Sequence, residues 1–171
     1  MNVIHIHYYK SPIGEIMLGS YDGKLCLADW RYRRMRTTID KRIQKALNAS
    51  YVEENTPVLS EAQKQLEAYF NMQRKSFDIP LLMLGTDFQK SVWEALVQIP
   101  FGQTRSYLDL AKTIDNEKAV RAVASANGAN AISIMIPCHR IIGSDGALVG
   151  YAGGLPAKKK LLALEKNLFV S

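Results

Sequence analysis

Apolar and polar side chains alternate through the first thirty residues with the period of a half-buried strand. VIHIHYY sets the pattern, GEIMLGS and KLCLADW follow, and the YDG between the latter two is a hairpin turn whose glycine supplies a positive φ. From Arg31 the alternation stops, and RYRRMRTTIDKRIQKAL, rich in charge, predicts a helix. Its seven basic residues, Arg31, Arg33, Arg34, Arg36, Lys41, Arg42 and Lys45, stand against one acid, Asp40, a pattern that fits a solvated helix face better than a nucleic-acid patch. A second helix is expected to open at Ser60, where Ser60 and Gln63 make a capping box and Ala62, Leu66, Tyr69 and Phe70 line one side. DIPLLMLG carries the chain across to Gly85, where a strand-rich module ends and a helical one begins; the expected domains are 1–85 and 86–171.

The second half reads as helices throughout. Thr86 and Gln89 make a capping box, and Phe88, Val92, Leu96 and Ile99 recur at helical spacing until Pro100. After FGQTR, Ser106 caps a short helix, YLDLAKTI; DNEK turns the chain; AVRAVASAN forms another helix that Gly128 ends. Two short helices joined by a tight turn suggest a helix-turn-helix. The second is nearly bald, because Ala119, Ala122, Ser125 and Ala126 leave Arg121 as the one long polar group in its middle. An α-helix with side chains is about 10–12 Å across and a minor groove only about 6 Å wide, so a bald helix suits a widened minor groove. Packing of small residues against another helix is the alternative.

Composition narrows the setting. The 171 residues are 47% hydrophobic and 22% charged, without a repeat or a low-complexity tract. MNVIHIHYYK lacks the continuous apolar core of a signal peptide, and no stretch approaches the roughly 20 apolar residues of a membrane span, so a soluble cytoplasmic protein without a membrane partner is expected. Two cysteines, Cys26 and Cys138, without CxxC spacing fit a reducing compartment and leave a thiol free to react. A net charge of +6, spread over both halves, suits a polyanionic partner.

One short segment carries chemistry. IMIPCHRII places Cys138 beside His139 inside an apolar run. The thiolate is the nucleophile, so a reactive cysteine at neutral pH needs a neighbour that lowers its pKa or takes its proton. His139 is the nearest base in sequence. On an extended segment the two side chains would point to opposite faces, so their communication needs a bridging water or a local turn at Pro137. A carboxylate should orient the imidazole, and Glu165, near the end of AKKKLLALEKN, is the candidate. A buried cysteine that merely packs is the bland alternative.

IPCHR resembles the active-site motif of the O6-alkylguanine-DNA alkyltransferases, also called methylated-DNA-protein-cysteine methyltransferases. GTDFQKSVWEALVQIPFGQTRSYLDLAK, AVRAVASANGAN and GYAGGLPAKKKLLALE resemble the family pattern in order and spacing, and SPIGEIMLGS is similar to its N-terminal signature. The resemblance implies an α/β (α+β) chain: a ribonuclease-H-like sheet-and-helix domain followed by a helical winged helix-turn-helix domain. It implies repair of O6-alkylguanine in double-stranded DNA by one irreversible transfer to Cys138, and leaves O4-alkylthymine open as a further substrate. His139 and Glu165 match the relay that removes the thiol proton through water, and Asn130 the residue that braces the active-site turn. Tyr107 matches the tyrosine that rotates the nucleotide and protonates the departing guanine. Arg121 matches the arginine that replaces the flipped nucleotide in the stack, Tyr151 a wall of the guanine pocket, and Ser106 fits the same DNA-facing turn. Ala119 and Ala122 belong to the helix that meets the minor groove. A monomer without cofactor is implied.

The chain departs from the family pattern in places. Asn130 is followed by Ala131 where many relatives have proline, and Ala152 stands where some have serine. Metal is not expected: Tyr21 and Cys26 lie near the zinc ligands of some relatives without a complete set, and His5 and His7 with one thiol do not make a tetrahedral site. Cys138 argues against a non-reacting alkyltransferase-like sensor. The absence of a nearby resolving cysteine, with Tyr107 and Arg121 on the helix-turn-helix, argues against a thiol hydrolase or redox enzyme, and PCHR has no use in a transcription factor.

Overall fold

The computed structural model describes residues 2–166, and the chain divides into two compact units, Met1–Leu84 and Gly85–Ser171. The first unit is a four-stranded sheet with two helices: β1 (Asn2–Ser11), β2 (Gly14–Tyr21), β3 (Lys24–Trp30), α1 (Arg36–Leu47), β4 (Ala49–Glu53) and α2 (Pro57–Phe70). Strand order is β3-β2-β1-β4, with β4 parallel to β1 and the other pairs antiparallel. Ile4, Ile6, Ile16, Leu18, Leu25 and Leu27 enter the core from the sheet, and Leu59, Ala62, Leu66 and Tyr69 from α2, the 3.6-residue face of an amphipathic helix.

The structure corrects several expectations here. ASYVE forms β4, a strand the periodicity did not announce, because its edge position leaves most of it exposed to solvent. The second helix starts earlier than expected, at Pro57, with the Thr56 hydroxyl accepting from the Leu59 N–H and proline at the first helical position; the Ser60 hydroxyl instead accepts from Asn55. Arg31 to Met35 precede α1 as a turn. Two of the basic residues are not solvated either: Arg33 and Arg36 donate to Asp29 of β3 at 2.9 and 3.1 Å, and Arg36 also grips Asp40. Asp29 is fully buried near the end of β3, only four residues before Arg33, and its position in an alternating strand pattern hid it as a partner for the arginines that follow.

The second unit contains α3 (Asp87–Val97), β5 (Arg105–Ser106), α4 (Tyr107–Thr113), α5 (Val120–Gly128), β6 (Ile141–Ile142) and α6 (Leu155–Glu165), with short 3-10 turns at Glu117–Ala119 and Cys138–Arg140. β5 and β6 pair in parallel, which brings the start of the helix-turn-helix beside the end of the Cys138 segment. The Thr86–Gln89 capping box opens α3, and a second box, Ser106 with Asp109, opens α4. Gly85 is required by space, since a Cβ there would meet the Trp93 ring at 2.5 Å. Trp93 lies buried and its indole N–H donates to the Ala126 carbonyl at 2.8 Å, tying α3 to α5. α5 ends at Gly128 as expected, though without a left-handed cap: Gly128 is the last helical residue, and Ala129 caps with ordinary right-handed angles.

Candidate active site

The segment from Asn130 to Arg140 is buried without interruption. Chain buried outside regular structure must satisfy its own polar groups, and Asn130 does much of this. Its amide nitrogen donates to the carbonyls of Ile132 and Ile136 at 3.3 and 2.9 Å, and its oxygen accepts from the Ile132 N–H at 3.0 Å. Within that loop Ile134 holds φ +73, a left-handed conformation that costs a β-branched residue roughly 1–3 kcal/mol and persists only where neighbours enforce it. Ala131 is buried, and the Asn130 bonds close the turn without a proline ring.

Cys138 begins a 3-10 turn after Pro137 rather than continuing an extended strand, and its sulfur-bearing residue is 5% exposed. The turn changes the relation between neighbouring side chains that a strand would impose. His139 is fully buried, and its Nε2 lies 2.6 Å from Glu165 Oε2 on α6. Burial pushes the His139 pKa down, against the opposite pull of Glu165. A neutral imidazole facing a carboxylate must carry its proton on Nε2 and donate it, which leaves Nδ1 as a bare lone pair. Nδ1 is buried and has no hydrogen-bond partner among the described residues.

Arg140 completes this cluster. Its Nε and one terminal nitrogen donate to Glu165 at 2.7 and 3.0 Å, while the other terminal nitrogen donates to the Ile99 carbonyl at 2.6 Å. Burial alone would raise Glu165; the hydrogen bonds and charges of His139 and Arg140 outweigh it and hold the carboxyl at about 2. Glu165 is therefore ionised at every pH where the protein works. Gly102, at φ +82, passes so close to α6 that a Cβ would sit 3.0 Å from the Glu165 carbonyl. The FGQTR turn is thus shaped around the carboxylate-bearing end of that helix.

Tyr107, the first residue of α4, is half-buried. Burial raises its pKa, a charge on Cys138 raises it further, and a side-chain hydrogen bond with Asn127 opposes both. Its hydroxyl donates to the Val149 carbonyl over 3.5 Å. The Tyr151 ring stands edge-on to His139, with centroids 6.4 Å apart. Cys138 and His139 thus share the turn that Asn130 braces, Glu165 and Tyr151 meet the His139 ring, and Tyr107 lies within electrostatic reach of Cys138. Arg121 and Ala122 lie instead on the exposed face of α5, Ala119 closes the 3-10 turn before it, and Ser106 spends its hydroxyl on the Asp109 N–H as a helix cap.

Two residues of this neighbourhood had no assigned role in the sequence. Arg140 was visible as a charge inside an apolar run. Lys158 was hidden in KKK, although residues 157, 158, 161 and 165 are the buried face of α6 and two of those four are charged. Lys158 is fully buried, while Lys159 and Lys160 are exposed.

A buried cysteine, an imidazole held by a carboxylate, and a helix-turn-helix in the same unit define a thiol-dependent enzyme built on a nucleic-acid-binding scaffold. Comparison with known proteins makes the class specific. Residues 4–83 match the ribonuclease-like domain and residues 87–167 the DNA binding domain of 6-O-methylguanine DNA methyltransferase. The chain is 48% identical over 158 residues to the methylated-DNA-protein-cysteine methyltransferase of Methanosarcina barkeri, covering 92% of this chain and 94% of that protein. It also resembles the crystal structure of Mycobacterium tuberculosis O6-methylguanine methyltransferase, with a TM-score of 0.82 and 38% identity over 96% of this chain and 93% of that one. A second structure, the M. tuberculosis protein OGT in complex with DNA, matches with a TM-score of 0.82 and 40% identity, covering 95% and 93%. The chain belongs to the 6-O-methylguanine DNA methyltransferase family. Among the described residues no helix is long and apolar enough to cross a membrane.

Proposed function

We propose that this protein repairs O6-alkylguanine in double-stranded DNA by transferring the alkyl group to Cys138 once and irreversibly. The observation that carries the reading is the buried His139–Glu165 contact at 2.6 Å beside the thiol, with the imidazole Nδ1 open. A duplex hides the O6 position from any buried sulfur, so the nucleotide must leave the stack, at a cost of a few kcal/mol. Arg121, exposed on a face of α5 with Ala122 and Ser125, fills the vacated place, and the small side chains let the helix approach the minor groove. The extruded base stands against Tyr151 and Tyr107.

The Cys138 proton passes through water to Nδ1 of His139, and Glu165, ionised and clamped by Arg140, stabilises the imidazolium. The thiolate attacks the alkyl carbon, a C–S bond forms, and the C–O6 bond breaks with its electron pair going to guanine. Tyr107 donates a proton to the departing base, which makes it a better leaving group. The thioether offers water no carbonyl to attack, so the cysteine is not regenerated. Residues 86–171 act as the DNA-binding alkyltransferase domain, residues 1–85 as its α/β companion, and the protein works as a monomer without a cofactor.

Incubation with a duplex carrying O6-methylguanine labelled in the methyl group should move one label per protein onto Cys138, with Cys138→Ser binding the duplex but taking none. Repeated turnover by the parent, or label on another residue, would refute the reading.

A further inference from the structure

The mechanism above leaves one buried cation without a task. Lys158 is fully enclosed at the start of α6, and an ammonium is not buried without partners. Its Nζ donates to the carbonyls of Val149 at 2.8 Å and Gly150 at 3.2 Å. These two carbonyls belong to the segment that leads into Tyr151, and glycines with left-handed backbones flank that tyrosine, Gly150 at φ +51 and Gly154 at φ +91. Such a segment has the backbone freedom to move. The Val149 carbonyl has a second donor, the Tyr107 hydroxyl, at the much longer distance of 3.5 Å.

We propose that Lys158 is a positioning residue for alkyl transfer: by clamping the Val149 and Gly150 carbonyls it fixes the rim of the base pocket and frees the Tyr107 hydroxyl for the leaving guanine. This rests on the alkyl-transfer reading above. One carbonyl oxygen has two lone pairs, and the ammonium takes the stronger bond. When Tyr107 turns its O–H toward the base, Val149 remains satisfied, so the switch costs only a long hydrogen bond. Without the ammonium, Val149 would compete with guanine for the same proton.

Burial lowers the Lys158 pKa, and a negative charge on Cys138 opposes that shift. His139 from the 3-10 turn, Tyr107 from α4 and Glu165 from the far end of α6 are the other ionisable groups gathered about this thiol.

The test is a double-mutant cycle on the full chain, read with O6-benzylguanine and, separately, with iodoacetamide, which alkylates Cys138 without needing a protonated purine. Lys158→Met should slow the benzylguanine reaction by about tenfold or more, the weight of a charge-assisted hydrogen bond, and leave the iodoacetamide rate near that of the parent. In a Tyr107→Phe background the same substitution should cost much less, because its effect runs through the tyrosine. Additive losses, equal losses with both reagents, or no loss would each overturn the assignment. Should Lys158→Met fail to fold, Tyr107→Phe alone decides by hydrogen exchange: the Gly150 and Tyr151 amides should stay as protected as in the parent, and a loosened rim would assign the clamp to Tyr107 instead. A parent protein that takes no benzyl group refutes the proposed repair function; a reactive parent with an additive cycle refutes only the role of Lys158.

Discussion

Each unit of this chain buries a carboxylate against basic partners, and the two clusters end differently. In the first unit Asp29 accepts from Arg33 and Arg36, and Arg36 also reaches Asp40, which accepts from the Tyr51 hydroxyl at 2.8 Å. In the second, Glu165 accepts from Arg140 through two nitrogens and from His139 through one. Arginine cannot give up its proton at any working pH, so the first cluster can only hold shape. Exchanging one arginine for histidine turns the same motif into a proton acceptor, because the imidazole that donates through Nε2 keeps a lone pair on Nδ1. The two thiols differ in the same way. Cys26 is 2% exposed and lies within strand β3, where burial pushes it up to about 12; Cys138 is nearly as buried, yet sits beside an imidazole and a tyrosine. Burial makes a thiol inert unless polar groups are buried with it.

The sharpest way to break the comparison is Asp29→Asn, which leaves arginines buried without their carboxylate. It should destabilise the protein by about 3–5 kcal/mol in denaturant unfolding, the penalty for splitting a buried ion pair. At a temperature where the variant remains folded, its Cys138 should react with O6-benzylguanine as the parent does. A large rate loss would make the first cluster part of the chemistry.

Glu165→Gln should also cost stability, since it leaves Arg140 buried without its carboxylate, but it should in addition slow single-turnover transfer by roughly a hundredfold through loss of the group that orients and stabilises the imidazolium. It also has a pH signature. Glu165 is held at about 2 in the folded chain against an ordinary value of 4.5, and His139 is held below its ordinary 6.5. Both groups bind protons more readily when unfolded, so stability is intact above the ordinary values and falls as pH drops through them toward the folded ones. Melting temperature should decline between about pH 6 and pH 2, and Glu165→Gln should lessen the part of that decline below the ordinary carboxylate value, where Asp109, also held low by its Ser106 hydrogen bonds, still contributes. An unchanged acid slope would mean that the carboxylate is not the group titrating.

Arg121→Ala should cost about tenfold, or 1.4 kcal/mol, in reaction with an O6-methylguanine duplex while sparing free O6-benzylguanine, which needs no flipping. Equal losses on the two substrates would remove the arginine from the stack. Smallest of all, Cys26→Ser should leave both the rate and the one-to-one stoichiometry unchanged, and label found on Cys26 would sink the contrast between the thiols.

Local patterning was read most easily where one physical cause dominates. Alternation marked β1 to β3, Thr86 and Ser106 were legible as caps because the hydroxyl and the free N–H are three residues apart, and the PCHR segment announced itself as polar chemistry in an apolar run. The start of α2 was misread because Thr56 and Ser60 both carry hydroxyls, and only the proline at 57 and the packing of Leu59 choose between them. β4 was missed because an exposed edge strand has little apolar pattern to show.

What the amino-acid order determined by itself was therefore the set of elements held by short-range geometry and the candidate pair, Cys138 and His139. Tertiary structure decided which charges meet at the Cys138 turn. Glu165 lies 26 residues from His139, and Lys158 nine from Val149, yet the contacts between them are 2.6 and 2.8 Å. Hydrogen bonds and charges in a buried site depend on distance through space, and no spacing along the chain encodes that.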